Sequence, residues 1–499
     1  MAEAVYTASR RPYTHQQEAL DKMRGMEAFA LFMEMRTGKT KVTIDDYGRM
    51  ELAGKARHLL VIAPGGVYRT WEGALQDHLS ADLKKRLVVF VWETGMGTKK
   101  KRAFEAFLEM AENPDGPPCA LLINIEAVTR VKYAGDSVVR FARSAPNVTA
   151  IDESTIIGND SSQTTKFING KLAHHCTYRR ILSGLPNPTN PMSLYSQLEF
   201  LDWRILGNRS FFSFRSRYAV MKDMVVDVKR DDAGNELDAG RKIKVITGYR
   251  DLDHLRRKIA PYSYRKLLSE CYDLPPKMYS IREVKLTEEQ ERLYSEMKLF
   301  FTTQLSTGQY VTASVVIAQM IRLHQILCGH TRDEEGNWHE ISENRTSELL
   351  ALLEEFTGKA IIWCSYDNDV QKVVRVLEKR YGAGVAARFW GGNRSTREEE
   401  EARFLGDPEC RFMVATAAAG GRGRTWMNAS LVVYYSCLNN LDHRAQSEER
   451  AQGIGKTESV GYIDLVAPGT VEEKFLQAIR NKIDLAAVVH GDAWREWVV

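Results

Sequence analysis

The sequence predicts an α/β protein with two domains, each a parallel sheet covered by helices on both faces. Short apolar runs alternate with helical stretches, which is typical of strands buried in parallel sheets. In the first half these runs lie at 28–32, 59–64, 87–92, 120–124, 148–152 and 179–184. A second series lies at 360–364, 388–390, 412–416, 431–435 and 461–466. Because 499 residues exceed what one hydrophobic core accommodates, each series is expected to form its own domain.

The expected boundaries place the first domain at 1–275, a linker at 276–290 and the second domain at 291–499. The linker follows from Pro275 and Pro276, since a double proline ends helices and resists sheet. Residues from about 205 to 270 are expected to form an aromatic and basic insertion in the first domain. Its segment 211–218 either stacks on nucleic-acid bases or packs in a core, and its density of Phe and Tyr favours packing.

Composition indicates an ordinary globular chain rather than a membrane or disulfide-rich protein. Hydrophobic residues make up 44% and charged residues 27%, and no apolar run approaches the ~20 residues of a membrane span. Seven scattered cysteines form no Cys-x-x-Cys pair, so neither zinc nor a disulfide framework is indicated. With no secretory signal visible, a cytoplasmic protein is expected. A net charge of +4 is too small to indicate nucleic-acid binding.

A candidate phosphate-binding loop spans residues 33–40 and ends in Gly38-Lys39-Thr40. Gly38 lets backbone N–H groups approach phosphate, Lys39 supplies positive charge, and the Thr40 hydroxyl is a ligand for Mg²⁺. Arg36 and Thr37 are expected to bind nucleotide in the same loop. An apolar run precedes the loop and a helical stretch follows it, which places phosphate at a helix N-terminus. Met33 replaces the usual first glycine, and the alternative is a plain strand–helix turn.

An acidic pair, Asp152 and Glu153, ends the apolar run at 148–152. Asp152 is expected to hold Mg²⁺ directly or through water, and Glu153 to orient or deprotonate the attacking water. Pro64-Gly65-Gly66 and Ser183-Gly184 follow other predicted strands, so these groups should gather at the carboxyl edge of one sheet. The second half has no Gly-Lys-Thr of its own, which favours an ATP site in the cleft between the two domains.

From about residue 10 to 478, the order of motifs resembles the double-RecA motors of helicase superfamily two, in the Swi/Snf type and its compact phage-like form. The matching segments are 11–16, 33–40, 62–64 with Trp71, 124–126, 151–154, 182–186, 274–277, 415–423 and 446–456. The resemblance implies that both α/β domains are RecA-like, with ATP and Mg²⁺ as ligands and double-stranded DNA as partner, bound mainly through its backbone.

The resemblance also implies residue roles. Gln16 would contact adenine, Gly421 and Gly423 would bind nucleotide, and Trp71 would belong to a DNA-facing motif. Arg450 would be an arginine finger that stabilises transition-state charge. Its alternative is a surface arginine paired with Glu448 or Glu449.

Three positions depart from the family pattern. Gly453 stands where a second arginine is usual, Leu185 replaces a Thr, and Gly158 stands where small relatives often carry Lys. The hypothesis is that nucleotide and DNA binding survive while hydrolysis is impaired.

The expected function is a DNA-dependent ATPase that translocates on double-stranded DNA as its lobes close on Mg-ATP. Two alternatives stay open: a strand-separating DNA or RNA helicase, and a nucleotide-gated DNA-binding module with little turnover.

Overall fold

The computed structural model describes residues 6–187, 190–207, 209–226, 241–306, 313–332, 338–420, 425–438, 440–453 and 455–490. Two compact units divide these residues. The first contains the described residues within 1–219, 249–273 and 485–493, and the second contains those within 220–248, 274–484 and 494–499.

The first six strands belong to the parallel sheet of the first unit. They are β1 Ala28–Met33, β2 His58–Ala63, β3 Val88–Val91, β4 Cys119–Asn124, β5 Asn147–Asp152 and β6 Tyr178–Leu182. The helices of this unit are α1 Thr14–Lys22, α2 Lys39–Leu52, α3 Thr70–His78, α4 Ala81–Arg86, α5 Thr98–Glu112, α6 Ile125–Arg130, α7 Lys132–Ser144, α8 Gln163–Phe167, α9 Leu194–Asp202, α10 Phe211–Tyr218 and α11 Leu252–Ile259. All six predicted apolar runs are therefore strands.

A separate two-stranded hairpin follows α10. It consists of β7 Ala219–Val226 and β8 Arg241–Tyr249. The polar stretch 229–235 between these strands lies outside the described residues.

The first sheet also has a seventh strand that the sequence did not predict. β9, Ser263–Lys266, pairs in parallel with β1 and completes the order β3-β4-β2-β5-β6-β1-β9. It comes from the segment expected as an insertion at about 205–270. Its sequence Ser-Tyr-Arg-Lys carries no apolar run, because an edge strand is covered less fully than a central one.

The second unit is built on a parallel sheet of six strands, with a short antiparallel pair beside it. Its strands are β10 Lys277–Glu283, β11 His330–Arg332, β12 Trp338–Glu340, β13 Lys359–Cys364, β14 Ala386–Phe389, β15 Phe412–Thr416, β16 Ala429–Tyr434 and β17 Val460–Val466. The six-stranded sheet has the order β10-β17-β16-β13-β15-β14, and β11 pairs with β12.

Eight helices accompany these strands in the described part of the chain. They are α12 Glu288–Ser306, α13 Ala313–Leu327, α14 Arg345–Glu354, α15 Asp367–Tyr381, α16 Arg397–Gly406, α17 Ala417–Gly420, α18 Leu441–Glu448 and α19 Val471–His490.

The segment expected as a linker at 276–290 differs from that expectation. Residues 277–283 form β10, which pairs in parallel with β17 along its whole length. Met278 and Ile281 are exposed on this edge strand. Because the strand is only partly covered, its sequence carries no continuous apolar run from which a strand could be predicted.

Alternate side chains of the central strands enter two different cores. Ala360, Ile362 and Cys364 of β13 pack in one cluster, whereas Ile361 and Trp363 pack in another. Both faces of the second sheet are therefore covered, as expected for a parallel sheet. None of the described helices combines the length and the apolar character that a membrane span requires. All seven cysteines are free.

Candidate functional site

The predicted phosphate-binding loop connects β1 to α2. β1 ends at Met33, α2 begins at Lys39, and the residue before the helix, Gly38, has φ +90°. A Cβ atom on Gly38 would lie 2.2 Å from Nε2 of Gln16. Both the left-handed backbone and this close approach require glycine at position 38. Arg36 in the same loop also has a left-handed backbone, with φ 63°.

Lys39 is buried with its ammonium group against the loop. Nζ donates hydrogen bonds to the carbonyl oxygens of Met33 (2.9 Å) and Glu34 (3.3 Å). The Thr37 hydroxyl donates to the same Glu34 oxygen over 2.6 Å, so both side chains close the loop on itself. Carbonyl oxygens carry only partial charges, and the ammonium therefore keeps a positive charge that an anionic ligand can meet.

Asp152 is the last residue of β5 and is buried beside this positive charge. Its Oδ2 accepts a hydrogen bond from Nε1 of Trp71 (3.0 Å), and its Oδ1 accepts one from the backbone N–H of Glu153 (3.0 Å). Burial raises the pKa of Asp152, while the charge of Lys39 and the two hydrogen bonds oppose that rise. Glu153 has φ 51°, a conformation that a non-glycine residue adopts at some cost.

Trp71, which belongs to the motif predicted to face DNA, lies on α3 and is fully buried, and its indole donates to Asp152. The side chain itself therefore contacts the carboxylate, while the DNA-facing role of its motif stays a prediction.

Gln16 lies on α1 against the same loop. Its Nε2 donates to the Thr37 carbonyl oxygen (3.2 Å), and its Oε1 accepts from the Tyr13 backbone N–H (3.0 Å). His15 Nε2 donates to the same Thr37 oxygen over 2.8 Å. The rings of Tyr13 and Tyr272 meet edge to face with centroids 5.9 Å apart, which places aromatic surface beside this end of the loop.

Three hydrogen bonds that the sequence did not predict connect β9 and the turn after it to the loop and to the segments beside it. Arg265 Nη1 donates to the carbonyl oxygens of Phe32 (3.0 Å) and Gly184 (2.8 Å). Glu34 Oε2 accepts from the Leu268 backbone N–H over 2.6 Å. These contacts were not predictable because nothing in the sequence identified Ser263–Lys266 as a strand next to β1.

The segment after β6 approaches the loop closely. A Cβ atom on Gly184 would lie 3.3 Å from the Met35 backbone nitrogen. Leu185 donates its backbone N–H to the Ser183 hydroxyl over 3.2 Å. The predicted strand-end groups 152–153 and 183–184 therefore lie at one edge of the first sheet, and their position follows from the pairing of β5 with β6.

The segment after Asp152 is fixed to α9. The Ser154 hydroxyl donates to Gln197 Oε1 (2.7 Å), and Gln197 Nε2 donates to the Pro186 carbonyl oxygen (2.7 Å). At Gly158, a Cβ atom would lie 3.0 Å from both the Ser193 Cβ and the Thr155 carbonyl oxygen. A larger residue there therefore requires Ser193 to move.

Other predicted strand-end groups meet at the ends of β2 and β4. Asn124 Nδ2 donates to Glu126 Oε2 over 3.2 Å, and a Cβ atom on Gly65 would lie 3.6 Å from the same oxygen.

The residues at the phosphate loop fit a magnesium-bound nucleoside triphosphate. Thr40 and Asp152 offer a hydroxyl and a carboxylate, the oxygen ligands that Mg²⁺ prefers. Gly38 keeps the space before α2 free of a side chain, and the 14-residue helix α2 directs its positive dipole end at that space.

In the second unit, Arg450 is buried at the end of α18. Its Nε donates to the Gln446 carbonyl oxygen over 2.8 Å, and its own carbonyl oxygen accepts from the Trp426 backbone N–H. Glu448, considered as a partner for Arg450, instead accepts from Arg444 Nε (2.7 Å). The Glu448 carboxylate also accepts from the hydroxyl of Tyr279 and lies 3.2 Å from Nζ of Lys277.

Two further predicted nucleotide-binding residues, and one of the positions that depart from the family pattern, belong to the second half of the chain. Gly421 and Gly423 lie outside the described residues. Gly453 is buried, and its carbonyl oxygen accepts from the Lys456 backbone N–H over 3.1 Å.

Comparison with known proteins identifies two family profiles in the chain. The SNF2-related domain matches residues 15–332, and the helicase conserved C-terminal domain matches residues 344–455.

Among curated relatives, the TATA-binding protein-associated factor MOT1 of Saccharomyces cerevisiae is 23% identical over 524 residues, covering 91% of this chain and 26% of that protein. The putative ATP-dependent helicase/translocase YwqA of Bacillus subtilis is 24% identical over 480 residues, covering 92% of this chain and 46% of that protein. The chain thus spans less than half the length of these relatives.

A solved structure of the Sulfolobus solfataricus SWI2/SNF2 ATPase core in complex with dsDNA is similar to this chain. The sequences are 19% identical and the TM-score is 0.40, with 99% of this chain and 96% of that chain covered.

Proposed function

Because this chain belongs to the SNF2-related family of helicase-type ATPases, we propose that it hydrolyses ATP in response to DNA and translocates on double-stranded DNA. The observation that carries the proposal is the buried Lys39 at a left-handed glycine turn, with the buried Asp152 within its electrostatic field. A buried cation on carbonyl oxygens, a carboxylate and a helix N-terminus together suit a triphosphate with its metal.

Nucleotide recognition is assigned to the loop and to α1. Gln16 would contact the adenine, since its side chain lies directly against Gly38. Arg36, Thr37, Gly38, Lys39 and Thr40 would hold the phosphates. Gly421 and Gly423 would add contacts from the second unit, in keeping with the family resemblance.

Thr40 and Asp152 would hold Mg²⁺, which would neutralise charge on the phosphates when bound. Glu153 would orient or deprotonate the attacking water, and Arg450 would stabilise the charge that develops in the transition state. The roles of Glu153 and Arg450 require the two domains to close around the nucleotide, which is part of the proposal.

DNA binding is proposed from the family and from the YwqA relative, whose name describes a helicase/translocase. Contacts would be mainly to phosphate, so affinity should depend weakly on sequence and strongly on salt. An unwinding assay on tailed duplexes distinguishes translocation alone from strand separation.

The test is phosphate release from ATP with and without duplex DNA, for the native chain and for Lys39→Ala. We expect turnover that duplex DNA stimulates and that the substitution lowers about a hundredfold or more. Lys55→Ala, an exposed lysine of the same unit, is the matched control and should retain turnover. Equal turnover in Lys39→Ala and the native chain would refute the assignment of this loop.

A second candidate function, a nucleotide-gated DNA-binding module with little turnover, is favoured by Gly453. The missing arginine would leave transition-state charge less stabilised while ATP binding persists. Gly453→Arg should then raise turnover without changing ATP affinity. Unaltered turnover in this variant would contradict the hypothesis that hydrolysis is impaired.

A further inference from the structure

Helix α10 divides the aromatic segment 211–218 into a buried and an exposed face. Phe214 and Tyr218 are 0% and 2% exposed, and Phe214 packs against Tyr195 of α9 with ring centroids 5.5 Å apart. Phe212, two residues from Phe214, is 67% exposed. Packing therefore accounts for Phe214 and Tyr218 but not for Phe212.

The helix that carries Phe212 is fixed at both ends. At its start, the Ser210 hydroxyl accepts from the Ser213 backbone N–H over 3.3 Å. At its end, the Arg250 guanidinium donates to the carbonyl oxygens of Ser216 (2.6 Å) and Arg217 (3.0 Å). The exposed ring is thus carried by a helix whose two ends are held by hydrogen bonds.

Arginine side chains lie over the exposed rings of this region. The guanidinium carbon of Arg215 is 5.6 Å from the centroid of Phe212, and that of Arg209 is 4.3 Å from the centroid of Trp203. Trp203 is itself 37% exposed. Arg209 and Phe212 are three residues apart, so their Cα atoms lie within roughly 11 Å of each other.

Charge in this region favours an anionic ligand. Helix α10 contains two arginines and no acidic residue. Asp202, the acid next to Trp203, is paired with Arg204 at 2.6 Å. Exposed aromatic rings beside arginines are the combination that holds single-stranded nucleic acid, through base stacking and phosphate contacts.

We propose that Trp203, Arg209, Phe212 and Arg215 form a surface that binds unpaired nucleotides, with a base stacked on Phe212. The proposal rests on the proposed function, and of its two forms it favours strand separation, which is the one that supplies an unpaired strand. It adds a contact to bases, whereas the motor activity needs only backbone phosphates. A protein with this surface would hold a DNA strand after that strand has separated from the duplex.

The first test measures the affinity of the full chain for a fluorescent dT20 strand, without nucleotide. Phe212→Ala should weaken binding roughly 5- to 150-fold, the range of one base–aromatic stack. Phe212→Trp should restore it. Met110→Ala, another exposed apolar residue of the first unit, is the control and should bind as the native chain does.

The second test separates stacking from charge by using an abasic strand of equal length. This strand retains its phosphates but offers no base, so native and Phe212→Ala chains should bind it equally. Arg215→Gln should instead weaken both strands, and should make the slope of log K against log salt shallower by about 0.7.

Two results would overturn the proposal. If the native chain and Phe212→Ala bound dT20 with equal affinity, Phe212 would not stack on a base, and a protein partner would be the alternative ligand of the exposed ring. A loss that is equally large on the abasic strand would make Phe212 a structural residue. Both outcomes are measured by binding alone, so they stand even if the native chain shows no ATP turnover.

Discussion

Both units bury a cationic side chain near one end of a helix, but the partners of the two cations differ. In the first unit, Lys39 donates to two carbonyl oxygens. In the second, Arg444 donates to the Asp464 carboxylate through both terminal nitrogens and to Glu448 through Nε, and it lies 3.6 Å from the centre of the Tyr434 ring. Two carboxylates accept directly from Arg444 and neutralise it, whereas the acceptors of Lys39 are uncharged carbonyls and the Asp152 carboxylate acts on it only through its electrostatic field.

We expect this difference to separate a structural cation from one that meets a ligand. Burial does not distinguish Arg444 from Arg450, because both are 4% exposed. They differ at Nε, which donates to the Gln446 carbonyl oxygen in Arg450 and to the Glu448 carboxylate in Arg444.

The largest effect is expected at Arg450. Arg450→Lys keeps a positive charge but loses the forked guanidinium, and should lower ATP turnover about a thousandfold or more, with ATP affinity nearly unchanged. Phosphate release and nucleotide binding measure the two quantities. Arg375→Lys, a solvent-exposed arginine on α15, should leave both unaltered. If Arg450→Lys turned over normally, Arg450 would join Arg444 as a structural residue.

The next effect is on stability, at Arg444. Arg444→Met leaves Asp464 buried without its cation, while Glu448 keeps only the cation of Lys277, and should lower the free energy of unfolding by about 3–5 kcal/mol. Urea titration followed by circular dichroism measures it. Arg380→Met breaks an exposed pair with Glu354 and should cost no more than about 1 kcal/mol. Similar losses in both variants would contradict the comparison.

A buried carboxylate in the second unit gives a dependence on pH. Burial raises the pKa of Asp369 to about 7, against stabilising contacts from Ser436, Arg345 and Lys372, and His330 lies 3.3 Å away. A raised pKa means that the folded protein favours the protonated form of Asp369. The stability that this protonation contributes is complete below the pKa of Asp369 in the unfolded chain and is lost as pH rises through 7.

The contribution of Asp369 to the free energy of unfolding should therefore fall between pH 4 and pH 8, by at most about 4 kcal/mol. Asp369→Asn cannot ionise and should flatten that part of the profile. Parallel profiles for the two chains would show that Asp369 does not titrate in this range.

The smallest effect concerns the loop glycine. Alanine in a left-handed conformation costs about 1–2 kcal/mol, and both Gly38→Ala and Gly54→Ala incur this cost. At Gly54, with φ +67°, the added Cβ meets open space, whereas at Gly38 it meets Gln16. Gly38→Ala should be the less stable of the two and should also bind ATP more weakly. Equal stability would mean that Gln16 moves aside freely.

The sequence predicted the central strands and the loop well, because burial on both faces leaves continuous apolar runs and because Gly38-Lys39-Thr40 is a local pattern. It did not predict β9 or β10, since edge strands are only partly covered. It could not separate Phe212 from Phe214 either. Which face of α10 is buried depends on Tyr195, a contact made only in the folded chain.

The hydrogen bond from Trp71 to Asp152 gives the first unit an optical reporter of its own. An indole bonded to a carboxylate changes its emission when that carboxylate acquires another partner. Occupation of Asp152 by a divalent ion should therefore shift tryptophan fluorescence in the native chain and leave Trp71→Phe unresponsive. Although the chain contains nine tryptophans, the difference between these two spectra isolates the signal of one, and follows the loading of the loop without any label.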